Sequence, residues 1–149
     1  MEPIVPLISS SVSGPLGAKH LPRLWLKIVL HAAGRLPEGY RHGSGGLDEV
    51  TLTGLGIDAP AFIGYLESEM PSYQECEAWV RAHAASIGPA ALAEHNARID
   101  GATKPPASAA EFRQRLGVED PTFAAAVPLN DLDDWSAAHA GILRDRDRA

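Results

Sequence analysis

Apolar residues recur along the chain at three- and four-residue steps, between short clusters of glycine, proline and serine. Alternation with a period of two is absent, so the pattern predicts helices and no sheet. The first helix should run from about Leu21 to Ala33, with Pro22 tolerated in its first turn and Gly34 and Pro37 as stops. A short helix fits Leu47 to Gly56, weakened by Thr51, Thr53 and Gly54, and Asp58 can cap another around Ala59 to Glu67. Ser72 with Glu75 forms a capping box for a helix to about Ala85, and Gly88-Pro89 opens the next, ending near Asp100-Gly101. Ser108 with Glu111 reads as a second capping box, for a helix to Leu116. Asp120-Pro121 should start a short helix, and Asn130 or Asp131 should cap a last one reaching toward Arg144. The expected architecture is all-α, a single compact domain of six to eight short helices over residues 19–149. Ahead of it lies an arm, residues 1–18, rich in Pro, Ser and Gly, whose Ile4, Val5, Leu7 and Ile8 suggest partial docking.

The first predicted helix has an unusual polar pattern. In "KHLPRLWLKIVLHAAG", Lys19, Arg23, Lys27 and His31 stand at strict four-residue steps. Each step advances a helical side chain by about 40°, so Arg23, Lys27 and His31 cover only about 80° of the circumference. Nearly every other position is apolar. A helix of that kind is normally central, packed by neighbours on most sides, so the stripe must face a narrow strip of solvent or an internal cavity. Buried cations without partners would cost several kcal/mol, so something must compensate them. Inside the chain the candidates are Asp48, Glu49 and the acidic run from Asp131 to Asp134. From outside, the candidate is an anionic ligand gripped by the Arg23 fork and the Lys27 point charge. A solvated or internally salt-bridged stripe is the plainer alternative.

Charge makes the stripe more conspicuous. The 149 residues carry a net charge of −6, yet residues 1–46 hold five bases against two acids (+3) and residues 47–149 eight against seventeen (−9). That balance argues against nucleic acid as the main partner, while leaving room for a local anion site in the N-terminal third. Hydrophobic content of 45% and charged content of 21% describe a globular chain. No apolar run approaches the ~20 residues of a membrane span, and the opening segment lacks the basic stretch of a secretion signal. A single cysteine, Cys76, forms no internal bridge; a cytoplasmic location is expected.

Several strings resemble the bacterial family catalogued as domain of unknown function 5069, small helical proteins without an established general activity. They are "LPRLWLK" (Leu21 to Lys27), "TGLGID" (Thr53 to Asp58), "AWVRAHA" (Ala78 to Ala84), "HNARI" (His95 to Ile99) and "DLDDW" (Asp131 to Trp135). The resemblance spans roughly Leu21 to Trp135 and implies an all-α fold, with hardly any mechanism. In the family's first motif an aspartate commonly falls between the proline-arginine pair and the lysine. Leu26 holds that place here, while Arg23 and Lys27 match.

Other chemistry finds less support. The loop "GYRHGSGG", Gly39 to Gly46, could expose backbone N–H groups to an anion, but no Walker lysine-serine follows it and no strand precedes it. It reads either as a flexible connection or as a lid whose Tyr40 and His42 reach the stripe. Cys76 and His83 lie two turns apart, about 10 Å of rise, too far for a thiolate–imidazole dyad. Six histidines without paired ligand spacing predict no metal, and no nucleophile motif supports Ser-His-Asp chemistry. The charged tail "LRDRDRA" reads as a solvated helix end.

The leading expectation is a pocket for a small anionic organic molecule, a carboxylate or phosphate. Arg23 and Lys27 would hold the anion, His31 and His42 would transfer protons, Tyr40 and Asp48 would orient them, and Trp79 would form an apolar wall. Such a site suits a cofactor-free lyase, isomerase or hydrolase. No nucleic acid or membrane partner is implied, and a homodimer is compatible with the sequence. The competing expectation is a non-catalytic interaction module with an acidic docking surface and a salt-bridged stripe.

Overall fold

The computed structural model describes residues 2–149, and these form seven helices: α1 (Leu21–Ala32), α2 (Gly46–Gly54), α3 (Ala59–Glu69), α4 (Tyr73–His83), α5 (Pro89–Gly101), α6 (Pro106–Leu116) and α7 (Ala126–Arg148). The only β pairing among the described residues is an isolated bridge, Thr103 to Ala125. The all-α expectation holds. None of these helices is long and apolar enough to cross a membrane. Where the sequence was read as one domain behind an arm, the chain divides into two compact units, residues 1–100 and 101–149, and the arm belongs to the first.

The first unit is built around α1, which packs on α3 and α4. Leu21, Leu24 and Ile28 of α1 are buried with Leu52, Leu55, Phe62, Leu66, Cys76 and Val80. Cys76 is therefore a small core residue, and burial pushes its thiol up to about 12. Ser72 and Glu75 make the expected reciprocal capping box on α4, at 3.2 and 3.1 Å. Asp58 caps α3 by accepting from the Ala61 N–H.

The arm runs back along α1 from that helix's C-terminal end to its start. The Ile4 N–H donates to the Arg35 carbonyl, and Arg35 Nε donates to the Glu2 carbonyl. Arg23 Nη1 then donates to the carbonyls of Pro6 and Ile8, at 3.0 and 2.9 Å. Of the apolar residues expected to dock, Ile4 and Leu7 are exposed and Val5 and Ile8 half-buried, while Leu16 and Ala18 at the end of the arm enter the core. At the far end of the arm, α5 supplies a clamp. Asn96 accepts from the Lys19 N–H and donates to the Gly17 carbonyl, while His95 Nε2–H donates to the Lys19 carbonyl at 2.8 Å.

In the second unit two starts differ from the sequence expectation. Helix α6 begins at Pro106 behind Pro105, with no side-chain cap, so Ser108 and Glu111 lie inside it and form no capping box. A proline in the first turn lacks only an N–H that would have had no helical partner, which makes the earlier start possible. The same physics moves the start of α7 to Ala126: Pro128 falls in the first turn, and Asn130 and Asp131 are interior residues, not caps. The expected short helix at Asp120 is a turn, closed by the Thr122 N–H donating to Asp120 Oδ1 at 2.9 Å.

Candidate functional site

Of the polar stripe on α1, Arg23 and Lys27 are buried, as their apolar surroundings required, while His31 is exposed; the principal compensator of the buried part is Asp48. Lys27 is 5% exposed and Asp48 fully buried. Lys27 Nζ lies 2.7 Å from Asp48 Oδ1. Asp48 stands in the first turn of α2, where a carboxylate is also favoured by the helix dipole. Its second oxygen, Oδ2, accepts from the Gly43 N–H at 2.9 Å. Gly43 has φ +121°, a conformation that favours glycine, and it turns the amide toward the carboxylate.

A third donor reaches Asp48 from the residue that precedes α1. His20 adopts φ 73° at the N-cap, outside the usual range for a side chain of its size, and is almost fully buried. Two hydrogen bonds hold it there. Because a carboxylate only accepts, His20 Nε2 carries the hydrogen and donates to Asp48 Oδ1 at 2.7 Å. Nδ1 is then the acceptor, and the Ser10 hydroxyl donates to it at 2.8 Å. Burial lowers His20 from 6.5 to about 4, against the opposing pull of the Asp48 hydrogen bond, so the ring is neutral at pH 7. Burial on its own would raise the Asp48 carboxyl; the His20 hydrogen bond and the Lys27 ammonium override it and hold the group well below the usual carboxylate range.

Ser10, His20 and Asp48 thus form a hydroxyl–imidazole–carboxylate line that sequence reading did not assemble. The line is short in distance but wholly enclosed, since all three side chains are buried. A nucleophile must meet its substrate. Ser10 sits on the arm itself, so lifting the arm would remove the hydroxyl along with its cover. The line acts as a clasp that fastens the arm to α1 and α2.

The remaining expected site residues fall into two groups. Loop 39–46 does cross the stripe. The His42 ring stacks on His31, with centroids 3.7 Å apart and planes 11° from parallel, and both rings are exposed. The Arg23 guanidinium carbon lies 6.0 Å from the Tyr40 ring centre. His31, His42, Tyr40, Arg23, Lys27 and Asp48 therefore share one side of α1. Asp48 does not touch either of these histidines; it positions His42 by pinning the backbone of the next residue, Gly43. Trp79 belongs elsewhere. Its ring partners are Phe62 at 5.5 Å, Tyr65 at 5.5 Å and His83 at 4.2 Å, a stack built on α3 and α4.

Lys19, the first step of the ladder, pairs with Asp100 at 2.7 Å instead of joining the clasp. Lys27 and Arg23, expected to grip an anion, already have partners in Asp48 and in the arm carbonyls. A cation that sequence reading passed over is placed better: Arg41 is exposed, and its guanidinium fills the space a side chain at Gly45 would take. Gly45 is the N-cap of α2 and offers no side-chain cap. The signal that could have found it is the adjacency of Arg41 to His42 ahead of three glycines. Among the described residues, no group of three or more His, Cys, Asp or Glu side chains could hold a metal ion. Comparison with protein-family models and with curated proteins gives no match for this chain.

Proposed function

We propose that this is a cytoplasmic protein that binds a small anionic organic molecule, a carboxylate or phosphate, where loop 39–46 crosses α1. His31 and His42 serve as the proton-transfer pair of a cofactor-free reaction of the lyase, isomerase or hydrolase type. The observation that carries this reading is the exposed imidazole stack at 3.7 Å. One ring stands on a packed helix, the other on a loop pinned by a buried carboxylate, so their mutual placement is set before any ligand arrives. Arg41 supports the anion assignment, because a guanidinium beside glycine-flanked, uncapped helix N–H groups suits a carboxylate or phosphate. Lys27 and Asp48 serve as positioning groups behind that surface. The resemblance to the domain of unknown function 5069 family joins the proposal through its matching Arg23 and Lys27.

Thermal-shift screening against small carboxylates and inorganic phosphate tests the reading. A ligand at 100 times its Kd should stabilise the protein by about 2.7 kcal/mol. Stabilisation is expected in the wild type and should vanish in His42→Gln and Arg41→Met. If no member of the panel stabilises the wild type, the proposal fails. The second reading, a non-catalytic interaction module, is favoured by one observation: Asp48 matches Lys27 internally, as a salt-bridged stripe requires. The same screen, left flat, would favour it.

A further inference from the structure

Helix α7 carries a stripe whose ends are opposite in charge and whose middle holds two exposed apolar side chains flanking Ala138 and His139. Trp135 is 60% exposed and Ile142 66% exposed, the two most exposed large apolar side chains among the described residues. They are seven residues apart, so they project within about 20° of each other. Asp131 lies one turn before Trp135 and Arg146 one turn after Ile142, both within about 40° of the same direction. Ala138 and His139 fill the centre.

From this arrangement we propose that α7 is a self-association surface, pairing antiparallel with α7 of a second copy of this chain. A two-fold axis between Ala138 and His139 sets Trp135 of each copy against Ile142 of the other. The same register sets Asp131 against Arg146 twice, and Ala138 at the axis lets the helices approach closely. Parallel pairing would set Asp131 against Asp131 and Arg146 against Arg146, so charge complementarity selects the antiparallel arrangement. Arg146 is 70% exposed, and its two bonds to Asp147, from Nε and Nη2, are surface contacts between sequence neighbours that yield easily to a better partner. Asp131 need not be idle, because a carboxylate accepts from more than one donor. The stripe is one helix wide, which places the dimer at the small, weak end of specific interfaces. Association should therefore depend on concentration.

Sedimentation equilibrium on the full chain over a range of concentrations tests this. The wild type should pass from monomer to dimer, and Arg146→Asp, at an exposed helix end, should raise the dissociation constant at least about tenfold. Asp131→Arg should do the same. An equimolar mixture of the two variants should dimerise again, since each copy then supplies the charge its partner lacks. A wild type that stays monomeric at its highest soluble concentration, or a dimer that Arg146→Asp leaves unchanged, overturns the proposal. Variants that remain monomeric when mixed overturn the antiparallel register.

Discussion

Replacing Asp48 by asparagine keeps the shape of the side chain and removes the charge on which the clasp is centred. The carboxylate takes three donors: Lys27 Nζ and His20 Nε2–H on Oδ1, and the Gly43 N–H on Oδ2. An amide has one accepting oxygen, so whichever way it faces, its NH2 group meets a donor. With the oxygen kept toward Lys27 and His20, the Gly43 amide is stranded, at about 1–3 kcal/mol. Lys27, 5% exposed, meanwhile loses its counter-charge. Breaking a buried pair from one side costs about 3–5 kcal/mol. Because the two losses share one site, we expect about 4–6 kcal/mol in total, out of about 5–15 kcal/mol for an ordinary domain. Urea unfolding followed by Trp25 and Trp79 fluorescence, in a Trp135→Phe background, reports the first unit directly. Adding Lys27→Met should recover at least about 2 kcal/mol, because the uncompensated cation is gone. An Asp48→Asn loss below about 1 kcal/mol, or strict additivity with Lys27→Met, would refute the reasoning.

Acid should weaken the first unit before it reaches the carboxylate range. His20 is lowered from 6.5 to about 4, so between those values the unfolded chain binds a proton that the folded chain refuses. Stability is full above about pH 6.5 and falls by up to about 1.4 kcal/mol per pH unit, about 3 kcal/mol by pH 4. His95, lowered by burial, adds in the same sense, and the depressed Asp48 extends the loss below pH 4. Urea midpoints from pH 7 to 4 should show this slope in the wild type and a shallower one in His20→Asn. Gly54→Ala should destabilise by about 1–3 kcal/mol, although alanine is the better helix former. Its Cβ would lie 2.9 Å from the Nδ1 of buried His95, whose ring is held by the Lys19 carbonyl; a raised melting temperature would contradict this. Arg23→Met should free the arm, seen as faster deuterium uptake over residues 2–18 with little change in α4; unchanged uptake would contradict the docking account.

How far the sequence was readable depends on the range of each interaction. The Ser72 and Glu75 capping box was legible because both partners lie within one turn. The burial of Arg23 and Lys27 was legible because a helix with almost no other polar residue has nowhere else to turn its apolar faces. Asp48 could be named as a candidate compensator, but nothing local distinguished it from Glu49 or the acidic run near Asp131. The parts missed depend on the folded path of the chain. His20 meets Ser10 and Asp48, ten residues before it and twenty-eight after, only because the arm folds back along α1. No periodicity records that return. Trp79 was assigned to the wrong neighbourhood for the same reason, since its contacts with Phe62 and Tyr65 follow from how α3 lies against α4. The starts of α6 and α7 were missed in a different way: Ser108 and Asn130 look like caps, yet Pro106 and Pro128 stand in first turns that begin before them.

The central claim is that a neutral, buried His20 bridges the arm to the Asp48 carboxylate. Long-range nitrogen–proton correlation NMR of the imidazole rings, recorded from pH 8 down to pH 4, tests it most directly. His20 should show the Nε2–H tautomer throughout and stay neutral until about pH 4. A His20 ring that titrates near 6.5, or that carries its hydrogen on Nδ1, would contradict it.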